Sequence, residues 1–276
     1  MTQLAFIGGG NMAASIVGGL IQTGELPANQ IHISDPNADQ RERLAADYGV
    51  QVYADNAAAI AQADVVMMAV KPQVMSQVLE PLREQLTERQ PLLISIAAGI
   101  DLASLALWSG CQAIVRCMPN TPSLVGVGAS GLFASDAVSM EQRNLADALM
   151  RAVGITVWVQ TEAEIDTVIA VSGSGPAYYF LMMEAMIEAA EKMGMSRETA
   201  TKLTLQTAAG AAEMARQSDV DPAELRRRVT SPGGTTQQAI ATFEAAHLRD
   251  VVDAAMQAAC QRAAELSQEL GANPKT

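Results

Sequence analysis

The stretch LAFIGGGNMAASIVGGLI, residues 4–21, decides the fold. Four apolar residues, Leu4 to Ile7, read as a strand, three glycines follow, and the chain continues with helical character through Ile21. Gly8, Gly10 and Ala13 match the G-x-G-x-x-G/A spacing of a strand-turn-helix unit that holds a dinucleotide. Gly8 allows the tight turn, Gly10 lets a pyrophosphate approach the backbone, and Ala13 packs helix on strand. Gly9, Asn11 and Met12 complete the turn, where the first N–H groups of the helix and the positive end of its dipole face the ligand. A second strand, Ile31-His32-Ile33, ends at Ser34-Asp35, about 25 residues beyond Gly10. Asp35 could accept from a free ribose 2'-hydroxyl and would repel a 2'-phosphate, whereas Ser34 and Asn37 could donate to that phosphate. These residues pull in opposite directions, so the expected cofactor is NADPH or NADH.

Beyond this unit the chain has two textures. Further β-branched runs, Val65 to Val70, Leu92 to Ile96, Ala113 to Val115 and Ile155 to Val159, alternate with helical stretches. That alternation predicts a doubly wound parallel sheet, an α/β Rossmann-type dinucleotide-binding domain over residues 1–160. After Thr161 the β signal disappears and Ala, Met, Leu, Glu and Gln dominate, so residues 161–276 are expected to form an all-α domain. Its segment FLMMEAMIEAAEKMG, residues 180–194, is apolar over more than one face, as expected of a helix buried against a second subunit; an ordinary Met-padded core is the plainer reading. Only Gly271 to Thr276 look frayed.

Composition narrows the function classes. The 276 residues are 49% hydrophobic, enough for buried cores. The net charge of −12 lacks the basic face that nucleic acid requires. Met1-Thr2-Gln3 runs into the first strand without a basic leader, and the longest apolar stretches, such as Leu92 to Ile100, are too short for a bilayer, so a cytoplasmic protein without a membrane partner is expected. Cys111, Cys117 and Cys260 have neither disulfide nor zinc spacing, fit a reducing cytosol, and suggest no metal site.

Three more turns follow strands on the same expected sheet edge: Ala69-Val70-Lys71-Pro72, Ala97-Ala98-Gly99, and RCMPNTP from Arg116 to Pro122. Ligands of such sheets lie at the carboxyl ends of the strands, so these turns are candidates to line the dinucleotide crevice. Lys71, beside Pro72, suits positioning better than chemistry. The histidines, His32 and His247, look like core and surface residues. No nucleophilic Cys-His pair or serine elbow appears. A neutral ketone calls for a proton donor during reduction, whereas an iminium carbon is already electrophilic and needs chiefly alignment with a nicotinamide.

In the helical half, SGSGPAYYF and SPGGTTQQAI interrupt the helical texture. Together with FIGGGNMA, AVKPQ, SIAAG and RCMPNTP, in that order, they make the chain resemble the pyrroline-5-carboxylate reductases over essentially its whole length. The resemblance implies reduction of 1-pyrroline-5-carboxylate to L-proline with NAD(P)H, the last step of proline biosynthesis, and a homodimer or ring of dimers joined through the helical domain. Relatives that prefer NADPH often carry a neutral or basic residue where Asp35 stands. The substrate so implied is a ring bearing one carboxylate. Backbone N–H groups of Gly233, Gly234 and Thr235 at a helix start, with the hydroxyls of Ser231 and Thr236, are suited to hold that anion. The family pattern places Thr236 next to the ring nitrogen, as the candidate catalytic residue. Ser174 belongs to a bend, Ser172 to Ala177, expected under the substrate, and the site is expected where the two domains meet. Arg226-Arg227-Arg228 reads as a solvated face, with Arg228 the nearest to a cofactor. A β-hydroxyacid dehydrogenase is the alternative enzyme, but its lysine has no counterpart between Thr161 and Glu191. A non-enzymatic dinucleotide-sensing protein would leave the SPGGTT turn without a purpose.

Overall fold

The computed structural model describes residues 2–271. It has an eight-stranded sheet and its covering helices: β1 (Leu4–Ile7), α1 (Asn11–Thr23), β2 (Ile31–Ser34), α2 (Ala38–Tyr48), β3 (Gln51–Tyr53), α3 (Asn56–Ile60), β4 (Val65–Met68), α4 (Met75–Leu79), α5 (Arg83–Arg89), β5 (Leu92–Ser95), α6 (Leu102–Ser109), β6 (Ile114–Met118), β7 (Gly128–Ala134), α7 (Met140–Arg151) and β8 (Gly154–Trp158). The described residues beyond them are helical: α8 (Glu164–Val168), α9 (Gly175–Lys192), α10 (Arg197–Arg216), α11 (Pro222–Arg228), α12 (Thr235–Ala245) and α13 (Leu248–Leu270). None of these helices is long and apolar enough to cross a membrane.

The strand order is β3-β2-β1-β4-β5-β6-β7-β8, with β1 between β2 and β4, the reversal point of a doubly wound sheet. Along β1 alternate side chains enter different cores. Leu4 and Phe6 join the cluster under α1 and α7, and Ala5 and Ile7 join the one under α3, α4 and α6. Burial on both faces explains why these strands are continuous apolar runs rather than alternating ones. β6 and β7 pair antiparallel, in contrast to the all-parallel sheet expected, while β7 and β8 are parallel to each other. The link between β6 and β7 contains only a short 3-10 turn, Thr121–Val125, too little for the crossover that a parallel pair requires.

The chain packs as two compact units, one comprising the residues through Ser174 and those from Ala259 onward, the other Gly175–Ala258. The change of texture near residue 160 therefore marks the last strand, not the packing boundary. Ile165 and Ala170 are buried in the sheet unit, and a Cβ on Gly131 of β7 would meet Val168 Cγ1 at 2.6 Å. The end of α13 belongs to that unit as well, where a Cβ on Gly99 would lie 3.2 Å from Leu266 Cβ. Gly271 keeps a helical bond to Ser267 O, and the rest of the terminus expected to fray, residues 272–276, lies outside the described residues.

Candidate functional site

The carboxyl ends of β1, β2 and β4 converge through backbone bonds that continue the sheet beyond its strands. Gly8 N donates to Ser34 O at 2.8 Å, Asp35 N to Tyr53 O at 3.2 Å, and Ala69 N to Ile7 O at 2.8 Å. Gly8 has φ +97°, and a Cβ there would lie 2.7 Å from Ala69 O, so only glycine fits between β1 and the Ala69 turn. Gly10 differs. It is exposed, and a Cβ on it would meet nothing within 4 Å, which leaves its backbone open to a ligand. Asn11 is exposed and Met12 half-buried at the start of α1, a helix without a side-chain N-cap, whose first N–H groups suit a pyrophosphate. These residues fit a dinucleotide.

At the end of β2 the structure redistributes the expected roles. Asp35 Oδ2 accepts from Gly9 N at 2.8 Å and Oδ1 from Asn37 N at 2.9 Å, so the carboxylate braces the glycine loop. Ser34 is fully buried and its hydroxyl donates to Asn56 Oδ1 at 2.7 Å, which commits the proton expected to serve a 2'-phosphate. Asn37 Oδ1 caps α2 by accepting from Asp39 N. Asn56 carries no signal of its role in the sequence, nor does Gln40, whose amide donates to Gly9 O, nor Arg41, whose Nη1 donates to Asp35 O and Pro36 O. A polar side chain one turn into a helix is an ordinary surface feature in sequence, and only the fold turns these two back on the strand end.

The other crevice turns stand at the same edge. Ala69 and Val70 are half-buried, and the exposed Lys71 precedes a 3-10 turn at Pro72–Val74, for which Pro72 supplies the first residue. After β5, Ala97 and Ala98 are half-buried, and Gly99 turns the chain at φ +72°. Arg116 does not line an open crevice. It is buried, and its Nη1 bonds Glu162 Oε1 at 2.8 Å, the same oxygen that accepts from Leu102 N. Asn120 ties two motifs together, its Oδ1 accepting from Ala129 N at 2.9 Å and its Nδ2 donating to Ser172 O at 3.0 Å.

Ser172 lies in a π-helical turn, Ile169–Gly173, closed by Ser174 N to Ile169 O at 2.8 Å. Such turns are rare and mark functional positions. Pro176 has no N–H for the Ser172 carbonyl one helical turn earlier, so that carbonyl is free to take Asn120. Ser174 itself is half-buried.

In the helical unit the SPGGTT turn ends at Gly234, the N-cap of α12. The anion donors differ from those expected. Gly234 N is used by Ser231 O at 3.0 Å, and Gly233 N, at φ +72°, donates to Gln237 Oε1 at 2.6 Å. The N–H groups left without intrahelical acceptors are those of Thr235, Thr236 and Gln237, two residues further along than expected. The exposed hydroxyls of Ser231 and Thr236 make no hydrogen bond among the described residues. Glu224 draws Arg227 and Arg228 onto α11 at 2.6 and 2.8 Å, so Arg228 is spent on its own helix.

Other titratable groups are engaged elsewhere. His32 is held by Tyr53 and Gln3, with its pKa lowered by burial, and His247 is an exposed partner of Asp250. Burial pushes the Cys117 thiol up to about 12, so it does not serve as a nucleophile.

Residues 162–266 match the profile described as pyrroline-5-carboxylate reductase dimerisation, and residues 3–99 match that of NADP oxidoreductase, coenzyme F420-dependent. A pyrroline-5-carboxylate reductase of Pseudomonas aeruginosa is 56% identical over 270 residues, covering 98% of both chains. Among solved structures, the enzyme of that name from Coxiella burnetii aligns with a TM-score of 0.92 at 47% identity, covering 96% of this chain and 98% of its own. A pyrroline carboxylate reductase from Plasmodium falciparum, solved with NADP bound, aligns at 0.85 and 29% identity, covering 96% and 98%.

Proposed function

Since the chain belongs to the pyrroline-5-carboxylate reductase family, we infer that it reduces 1-pyrroline-5-carboxylate to L-proline with a reduced nicotinamide dinucleotide, the last step of proline biosynthesis. The single observation in this structure that carries the reading is the start of α12, where unpaired N–H groups and the Thr236 hydroxyl stand together without a lysine. The N–H groups of Thr235, Thr236 and Gln237 hold the substrate carboxylate, with Ser231 as a second anchor. Gly233 and Gly234 shape the turn rather than donate. Thr236 meets the ring nitrogen. The cofactor, when bound, supplies a hydride to the imine carbon, and the nitrogen carries its proton before transfer. The residues therefore bind and orient, and none has to deliver a proton against a developing alkoxide.

Gly8 to Met12 hold the pyrophosphate, and the turns Ala69 to Pro72 and Ala97 to Gly99 flank the nicotinamide half. The chain self-associates through a dimerisation domain. A dimer or a ring of dimers in the cytoplasm, where the free cysteines stay reduced, completes the proposal.

The test is direct. Purified protein, NADPH and pyrroline-5-carboxylate should consume reduced nicotinamide and form proline, and no turnover would reject the reading. Thr236→Ala should lower kcat/KM by about ten- to a hundredfold, the loss of one oriented hydrogen bond, with dinucleotide binding kept. Ser231→Ala should act mainly on KM, because it loosens an anchor present before and during hydride transfer. Wild-type kinetics in Thr236→Ala would reduce SPGGTT to a connector.

A further inference from the structure

Arg41 lies in the first turn of α2, and its guanidinium folds back over the end of β2. Nη1 donates to Asp35 O at 2.7 Å and to Pro36 O at 3.1 Å, which uses both of its hydrogens. Nε and Nη2 have no hydrogen-bond partner among the described residues, and the side chain is half-buried, so one edge of a fixed fork remains unspent. The same corner is fastened to the cofactor loop, because Asp35 Oδ2 accepts from Gly9 N.

The groups that looked decisive here are already engaged. Ser34 donates to Asn56, and both Asp35 oxygens accept backbone N–H groups, which fix the carboxylate against the glycine loop and the start of α2. In sheets of this topology the adenosine ribose lies at the end of the second strand, and a nearby arginine receives the 2'-phosphate where one is present. A guanidinium edge with two parallel N–H donors matches two phosphate oxygens, and it gains far less from a lone hydroxyl.

We propose that Arg41 makes the chain select NADPH over NADH by receiving the ribose 2'-phosphate on its Nε and Nη2 edge, with Asp35 held away as the brace of the glycine loop. The proposal rests on the reductase reading for the presence of a dinucleotide, and extends it to the residue that discriminates.

The experiment is calorimetric titration of the full chain, as wild type, Arg41→Gln and Arg41→Lys, with NADP+ and with NAD+. Arg41→Gln should lose about 10- to 100-fold in NADP+ affinity, the scale of a lost charge-assisted pair, while NAD+ shifts less than about twofold. Arg41→Lys should fall between, because it keeps the charge and loses the fork. The NADP+ advantage of the wild type should shrink as salt is raised. Equal losses for both nucleotides would mean that Arg41 only holds the turn, and no change for either would place the phosphate elsewhere; each result overturns the proposal. Wild type that binds both nucleotides but leaves pyrroline-5-carboxylate untouched would reject the reductase reading alone. Wild type that makes proline while Arg41→Gln binds NADP+ normally would reject Arg41 alone.

Discussion

A carboxylate at the end of β2 has opposite consequences according to the direction it faces. Turned outward, Asp35 would meet the ribose and set the choice of cofactor by charge. Turned inward, as it is, it accepts from Gly9 N and Asn37 N and fixes the loop that carries Gly10. Replacing it should therefore damage binding of both dinucleotides together. For Asp35→Ala the loss of two backbone partners should cost about 1–3 kcal/mol, or roughly ten- to a hundredfold in affinity for NADPH and NADH alike. Fluorescence titration with each cofactor checks this: a change in their ratio, with NADPH gaining, would show a charge facing the 2'-phosphate after all. The residue type and its spacing from Gly10 were plain in the sequence. Its direction was not, because orientation depends on a bond to a residue 26 positions earlier. The same limit applies to the substrate donors. Gln237, at the third position of α12, accepts from Gly233 N, one residue before the N-cap, and Ser231 O takes Gly234 N, so the free donors begin only at Thr235.

Elements were legible where the chain is apolar in runs and obscure where it is small or polar. β1, β2, β4, β5, β6 and β8 are β-branched or apolar stretches, and their alternation with helices pointed to a doubly wound sheet. β3 is three residues at the sheet edge, too short to show a period, and β7, GASGLFA, is built from residues that usually mark turns. Glycine suits β7 through close packing: a Cβ on Gly128 would meet Ser123 Oγ at 2.1 Å and one on Gly131 would meet Val168. Those neighbours are known only once the sheet is formed. The β1–α1 unit carries the sharper expectation. Gly8→Ala would place a methyl 2.7 Å from Ala69 O and 2.9 Å from Ala69 C, both backbone atoms, at φ +97°. The strand ends would have to part, at a cost of about 1–3 kcal/mol, with loss of the pyrophosphate site. Thermal unfolding should show a lowered Tm together with loss of NADPH binding. A variant with wild-type Tm and wild-type binding would mean that the loop accommodates the methyl, and that the approach of β1 to Ala69 is not essential.

At the scale of the molecule, the two units differ in how much interior they have. The sheet unit buries residues on both faces, whereas within Gly175–Ala258 only Gly175, Ile187, Ala200 and Thr204 are buried. α9 packs along α10, but its Tyr179, Phe180 and Leu181 remain 69%, 63% and 66% exposed. A helical segment of this size with so little core lacks the apolar burial that offsets its chain entropy. Each large side chain covered by a second copy would add about 1.5–3 kcal/mol, so association supplies the missing interior, in keeping with the match to a dimerisation profile. Folding of the helices and assembly should then be one event. Phe180→Glu should lower the sedimentation coefficient toward that of a monomer and, in the same samples, reduce the helical circular dichroism, while dinucleotide binding by the sheet unit persists. Dilution of the wild type should lower its Tm, because the folded helices are the associated ones. A monomeric Phe180→Glu with full helical signal and a concentration-independent Tm would show that the helices stand alone, and that their apolar faces serve some purpose other than holding two copies together.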